Sequence, residues 1–321
     1  MTAAAEAPAS PPKRLARRRK PAARAVRLLI AAGLFALFLY YSHPRAVGAA
    51  LAGVDWRWVL PAVLLVFVDR ALMAWRWIAL LAPVARGSRP PLAAVLRIFF
   101  VSTFLGTFLP GSIGGDAVRA WSLARVGVSA HESLASVLMD RLLGVIAVFL
   151  MCGVGLTLAP EMLDQRYVWL GLALTAGGCA AALLVAFNAR IAARYKLFAA
   201  LNAYRGHRGD LIAVLAASVG VQVIRVFQAW LLGLSLGITA GLAAYFAFIP
   251  MILLIMLLPI TFNGIGTSQA AFVWAFGYAG VGQPEAFALS VLFVALGIVG
   301  NLPGAVLYAT GFGRDVAEAR A

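Results

Sequence analysis

The sequence predicts an all-α polytopic membrane protein with about six full spans and two re-entrant helical hairpins entering from opposite sides. Three observations carry this. Hydrophobic residues fill 63% of the 321 positions and charged residues only 12%, while mean hydropathy is +0.92, far from the balance of a soluble domain. Apolar runs at about 26–42, 56–82, 133–158, 167–188, 211–236 and 285–311 meet the ~20 residues that a span requires. Two further runs, 93–124 and 240–280, are interrupted by proline and glycine. One transmembrane domain therefore covers 26–311, between a basic arm at 1–25 and a short tail at 312–321.

The arm comes first. Residues 11–27, PPKRLARRRKPAARAVR, hold eight of the 27 basic residues. A Pro/Ala-rich basic stretch before an apolar run reads as a disordered cytoplasmic arm that sets topology and touches anionic headgroups. It lacks the interleaved aromatics of a nucleic-acid surface, so the net charge of +15 does not point to nucleic acid. Pro44 and Arg45 separate the first run from AVGAA, which favours an uncleaved anchor over a signal peptide.

Basic residues then orient the spans. With both termini in the cytoplasm, Arg86, Arg89 and Arg97 follow the second span inside, and Arg190, Arg194, Lys196, Arg205 and Arg208 follow the fourth. Outer loops keep only Arg45, Arg57 and Arg166, as the positive-inside rule asks. Arg97 and Arg125 must both be cytoplasmic, so 93–124 enters and returns on one side: a half-helix 93–108, a break at 109–115, and a second half-helix from Asp116. The same counting makes 240–280 a hairpin from the outside.

The two breaks resemble one another. FLPGSIGGDAVRAW (108–121) and LLPITFNGIGTSQAAF (257–272) each run from an apolar helix through Leu-Pro to glycines and a new helix, a weak inverted repeat. Paired Gly/Pro-interrupted segments in opposed halves mark transporter binding sites, because irregular backbone at membrane depth must be buried in protein or line a cavity. From the first break come Gly114, Gly115, Asp116 and Arg119 as substrate contacts. Asp116 is read as the cap of the new half-helix, and Arg119 in its first turn as a partner for phosphate or for Asp116. Asn263, Gly264, Gly266 and Gln269 are the counterparts in the second break.

Other charges sit where lipid would penalise them. Asp69 and Arg225 fall near the centres of their spans, at a cost of roughly 2.5–3.5 kcal/mol each on insertion scales. Asp69 shares a helix face with Arg76, and Arg225 with Ser218, Gln222 and Gln228. Either Asp69 pairs with Arg225 or Arg70 to hold helices together, or these residues line a polar cavity. Asp140 and Arg141 lie near the cytoplasmic end of 133–158; Arg141 can snorkel, and Asp140 can pair with the hairpin arginines when a site is empty.

Cys152 and Cys179 lie in apolar runs, and His43, His131 and His207 in loops. No metal cluster, cofactor motif or intramembrane imidazole is expected.

The elements AWRWIALL (74–81), FLPGSIGGDAVRAWSLAR (108–125), MDRLLG (139–144) and LPITFNGIGTSQAAF (258–272) resemble the lysylphosphatidylglycerol synthase transmembrane-region family, which includes the flippase half of the multiple peptide resistance factor. That resemblance implies a protein of the bacterial inner membrane that moves or handles lipids, in some relatives beside a lipid-modifying enzyme. Bifunctional relatives carry a soluble aminoacyl-transferase domain after this region. Here only the short tail follows, so lipid synthesis is not expected. Many relatives place an Arg-Glu pair after the GIG element, where this chain has Thr267, Ser268 and Gln269, a difference that bears on headgroup preference. Three function classes stay open from the sequence: a phospholipid flippase that is not an enzyme, a partner or scaffold of a lipid-modifying or glycan-assembly enzyme, and a membrane-embedded lipid transferase using Asp116 or Asp140 as base. Membrane lipids are the expected partners in each, and the oligomeric state is open.

Overall fold

The computed structural model describes residues 44–85, 90–109, 113–158, 166–257 and 266–310. The arm, the first run, Pro110, Gly111, Asn263, Gly264 and the tail lie outside the described residues. Among the described residues all regular structure is helical. Five helices are long and apolar enough to cross a membrane: α2 (Trp56–Val84), α5 (Ala130–Leu158), α6 (Arg166–Ala186), α9 (Arg208–Ser235) and α12 (Gln283–Ala309). They match five of the six expected spans.

The starts of these helices follow local chemistry. The Asp55 carboxylate accepts from the Arg57 amide at 2.9 Å ahead of α2. Ser129 and Glu132 form a reciprocal capping box before α5, with bonds of 3.1 and 3.2 Å, satisfying amides that the helix itself cannot.

Each interrupted run carries two helices, one on either side of residues outside the described set. The first gives α3 (Leu92–Phe108) and α4 (Ile113–Arg125), the second α10 (Leu242–Met256) and α11 (Thr267–Gly277). One boundary differs from expectation: α4 begins at Ile113, not Asp116, so Gly114 and Gly115 lie inside the helix. Packing explains them. A Cβ on Gly115 would sit 2.9 Å from the Ser102 carbonyl oxygen and 3.1 Å from the Gly106 Cα, so glycine lets α4 lie against α3.

Three short helices were not anticipated. α1 (Pro44–Ala52) starts on a proline, whose missing amide costs nothing at that position, and packs on α12. α7 (Ala189–Arg194) and α8 (Lys196–Asn202) occupy what the sequence showed only as a basic loop. The 3-10 turn Ala203–Gly206 that follows carries Tyr204, which is fully buried and donates to the Leu80 carbonyl at 2.6 Å. Burial and the Asp140 charge push its phenol well above the usual range, so it remains a donor.

The apolar core divides in two. One cluster joins Val66 of α2, Cys152 of α5 and Val226 of α9 to α10, α11 and α12. The other joins Trp77 of α2, Met139 of α5 and Val214 of α9 to α3 and α4. Helices α2, α5 and α9 run through both, and their polar residues fall at the seam. The α3–α12 contact is tight, with Asn301 donating to Thr107 Oγ1 at 2.8 Å. By contrast α6 packs mainly on α5 and leaves Trp169, Leu170, Leu174 and Leu184 exposed.

Candidate functional site

The seam encloses a cavity of about 140 Å³ lined by α2, α4, α5, α9 and the end of α10. Helix α2 supplies Met73 and Arg76, with Asp69 on the same face one turn before, as spacings of four and seven residues require. Asp116 and Arg119 come from α4, Asp140, Arg141 and Gly144 from α5, and Gln222 and Arg225 from α9. Leu257, the last described residue before the second break, closes the wall.

Asp140 is the hub. Its Oδ1 accepts from Arg76 Nη2 at 2.6 Å, and its backbone carbonyl accepts from the same nitrogen at 3.1 Å. Its Oδ2 lies 3.7 Å from Arg119 Nη1, close enough for charge attraction but too long for a hydrogen bond. Arg119 is otherwise held from behind: Nε donates to Ser102 Oγ at 3.2 Å and Nη2 to Thr103 Oγ1 at 3.3 Å. Its guanidinium carbon lies 4.7 Å from the Phe99 ring centre and 5.1 Å from that of Trp77, within cation–π range. These contacts use two of its five N–H donors.

A second group stands beside the first. Asp69 Oδ1 accepts from Arg225 Nε and Oδ2 from Arg70 Nη1, both at 3.1 Å. Arg70 also reaches the Gly297 carbonyl at 3.3 Å, and the Met73 sulfur lies 3.3 Å from both arginines. Arg141 Nε donates to Asp116 Oδ2 at 2.5 Å. Among the described residues, five arginines (70, 76, 119, 141, 225) thus meet three aspartates (69, 116, 140), an excess of two positive charges. Arg76 and Arg119 are buried while Arg141 is partly exposed, and an unmatched buried charge is costly unless an ion of opposite sign completes it.

Six of the expected residues meet in or beside this cavity: Asp69, Asp116, Arg119, Asp140, Arg141 and Arg225. Their partners differ in part from expectation. Asp116 is not a cap, because α4 starts three residues earlier, and it pairs with Arg141 rather than Arg119. Arg141 therefore does not simply snorkel. Both alternatives for Asp69 hold at once, since one carboxylate serves Arg70 and Arg225. Gly115 faces α3 and Gly114 faces Leu109 just past its end. Gln269 Oε1 accepts from the Gly266 amide at 2.6 Å and from Ser268 Oγ at 3.1 Å, and Gly266 has φ 89°, so these two shape the start of α11 away from the cavity lining. Sequence reasoning placed Arg76 and Gln222 only on the polar faces of Asp69 and Arg225, and it did not assign Ser102 or Thr103 to the site. The hydroxyl pair inside the apolar run 93–108 was the available signal.

Residues 24–304 match the protein family described as Lysylphosphatidylglycerol synthase TM region, a stretch that contains every cavity residue. No curated protein matches the chain.

Proposed function

The chain belongs to the lysylphosphatidylglycerol synthase transmembrane-region family and is a helical, lipid-related integral membrane protein; on that premise we propose that it is a flippase for an anionic, phosphate-bearing lipid. The observation that carries this reading is the excess of arginine over aspartate in a cavity between two apolar clusters. Arginine suits phosphate because its planar fork donates two parallel bonds. An incoming phosphate would compete with Asp140 for Arg119, where the carboxylate contact is longest, while Arg76 keeps Asp140 in place.

In this reading the α3–α4 and α10–α11 pairs are re-entrant hairpins from the cytoplasmic and outer sides of a bacterial inner membrane, related as an inverted repeat, with both termini inside. The cavity lies between α4 and the end of α10, which is where opposed broken segments place a substrate. The lipid is moved without being altered, and no second protein is needed.

Reconstitution tests this. Liposomes carrying the purified chain and fluorescent phosphatidylglycerol should show lipid redistribution between leaflets, read by dithionite quenching, with lipid mass unchanged. Redistribution only after a lipid-modifying enzyme is added would make the chain a partner instead, and a change of lipid mass would make it a transferase.

A further inference from the structure

A second cavity adjoins the charged one. It is an apolar groove of about 700 Å³ between α5, α6 and α10, within the size range that holds an organic ligand. Arg141, Val145 and Leu257 line both spaces, so the groove has one charged end and an apolar length. On α6 its wall carries Gly171, Thr175 and Gly178.

These glycines differ from the ones that pack helices together. A Cβ on Gly115 or Gly155 would meet backbone atoms of a neighbouring helix at 2.9 and 2.7 Å, so those residues are absent side chains that let helices touch. A Cβ on Gly171 or Gly178 would meet nothing within 4 Å. Their missing side chains leave space beside α6 instead of bringing another element of this chain against it.

We infer that this groove holds one hydrocarbon chain of the lipid whose anionic head occupies the charged cavity, an inference that rests on the flippase reading. The continuity of the two spaces selects this occupant. A transmembrane helix of another protein would fill the apolar length but leave the arginine-lined end without an anion, whereas a lipid supplies both parts from one molecule. The site then recognises an amphiphile: an anionic headgroup alone leaves the apolar groove empty. Apolar contact along the groove contributes in proportion to the surface removed from water or solvent.

The test compares two probes on the full-length chain in maltoside micelles by calorimetry: dipalmitoyl phosphatidylglycerol, and glycerol phosphate, which has the anion without a chain. Gly178→Leu fills the groove, and Gly177→Leu, also free of neighbours within 4 Å but outside the groove, is the matched control. The expected result is a loss of about tenfold or more in lipid affinity for Gly178→Leu, about 1.4 kcal/mol, with glycerol phosphate binding unchanged and Gly177→Leu like the parent. Unaltered lipid binding by Gly178→Leu overturns the groove assignment, as does an equal loss in Gly177→Leu or a loss of both probes together. A fall in oligomeric mass on Gly178→Leu would assign the face to a second copy and overturn it too. If the parent chain binds neither probe, the anion reading itself fails, a result separable from all the others.

Discussion

Arg76 and Asp140 are joined twice, through the carboxylate at 2.6 Å and through the Asp140 carbonyl at 3.1 Å, which ties α2 to α5 beside the cavity. Asp140→Ala should therefore leave Arg76 with one bond and Arg119 without its counter-charge, lowering stability by about 3–5 kcal/mol, the usual cost of breaking a buried pair from one side. Asp140→Asn keeps an acceptor and should cost less. Melting in detergent checks the order, and added phosphatidylglycerol should recover part of the Asp140→Ala loss by binding the folded state. Equal melting of both variants would mean that the carbonyl bond alone holds Arg76.

The Asp69 carboxylate serves two arginines, so its removal and that of Arg225 are not equivalent. Asp69→Asn should destabilise more than Arg225→Gln, because it weakens the hold on Arg70 as well. The double variant should recover only the shared part, a coupling of roughly 0.5–3 kcal/mol. Strict additivity in a thermal double-mutant cycle would show that the pair is not coupled.

Gly115 and Gly114 are both packing positions. Gly115→Ala drives a methyl group toward the Ser102 carbonyl and the Gly106 backbone, at about 1–3 kcal/mol for overpacking. Gly114→Ala drives its methyl group into the Leu109 Cβ, an atom that no side-chain rotation moves, so it should destabilise as well. Because Ser102 also holds Arg119, Gly115→Ala should reduce lipid transport as well as melting temperature.

What the sequence made legible has a physical pattern. Spans over α2, α5, α6, α9 and α12 were readable because a bilayer imposes a length and a composition on each, and both interrupted runs were readable because proline and glycine end helices visibly. Two helices separated by one residue in the segment 189–202 were not readable, since α7 and α8 have six and seven residues and no periodicity develops over that length. The site was half legible. Asp69, Arg119, Asp140 and Arg225 stood out as charges in apolar runs, but their partners depend on which helices touch. Arg76 could be placed on the face of Asp69, but its pairing with Asp140 depends on α5 lying against α2.

The re-entrant topology proposed above makes a labelling prediction. In a chain with Cys152 and Cys179 replaced, Ser88→Cys and Ala130→Cys should react with a membrane-impermeant maleimide only from the cytoplasmic side, and Gln283→Cys only from outside. Opposite accessibility of positions 88 and 130 would make the α3–α4 pair a full crossing and remove the opposed arrangement of the hairpins.

Arg119 carries the sharpest prediction. Ser102, Thr103, Phe99 and Trp77 fix its guanidinium from one side, while the contact to Asp140 on the other is long. Three of its N–H donors are thereby left without a hydrogen bond among the described residues, which is the geometry expected of a group that awaits an anion. Lysine keeps the charge but offers a point ammonium in place of the planar fork, and it cannot bond the two hydroxyls and an anion in the same directions. Arg119→Lys should reduce lipid redistribution in liposomes by about tenfold or more, the equivalent of ~1.4 kcal/mol or more, with melting close to that of the parent. Arg119→Ala should abolish transport and melt lower, since it also leaves Asp140 with one arginine fewer. Transport at the parent rate by Arg119→Ala would show that the cavity arginines serve the fold alone and that the lipid phosphate is bound elsewhere.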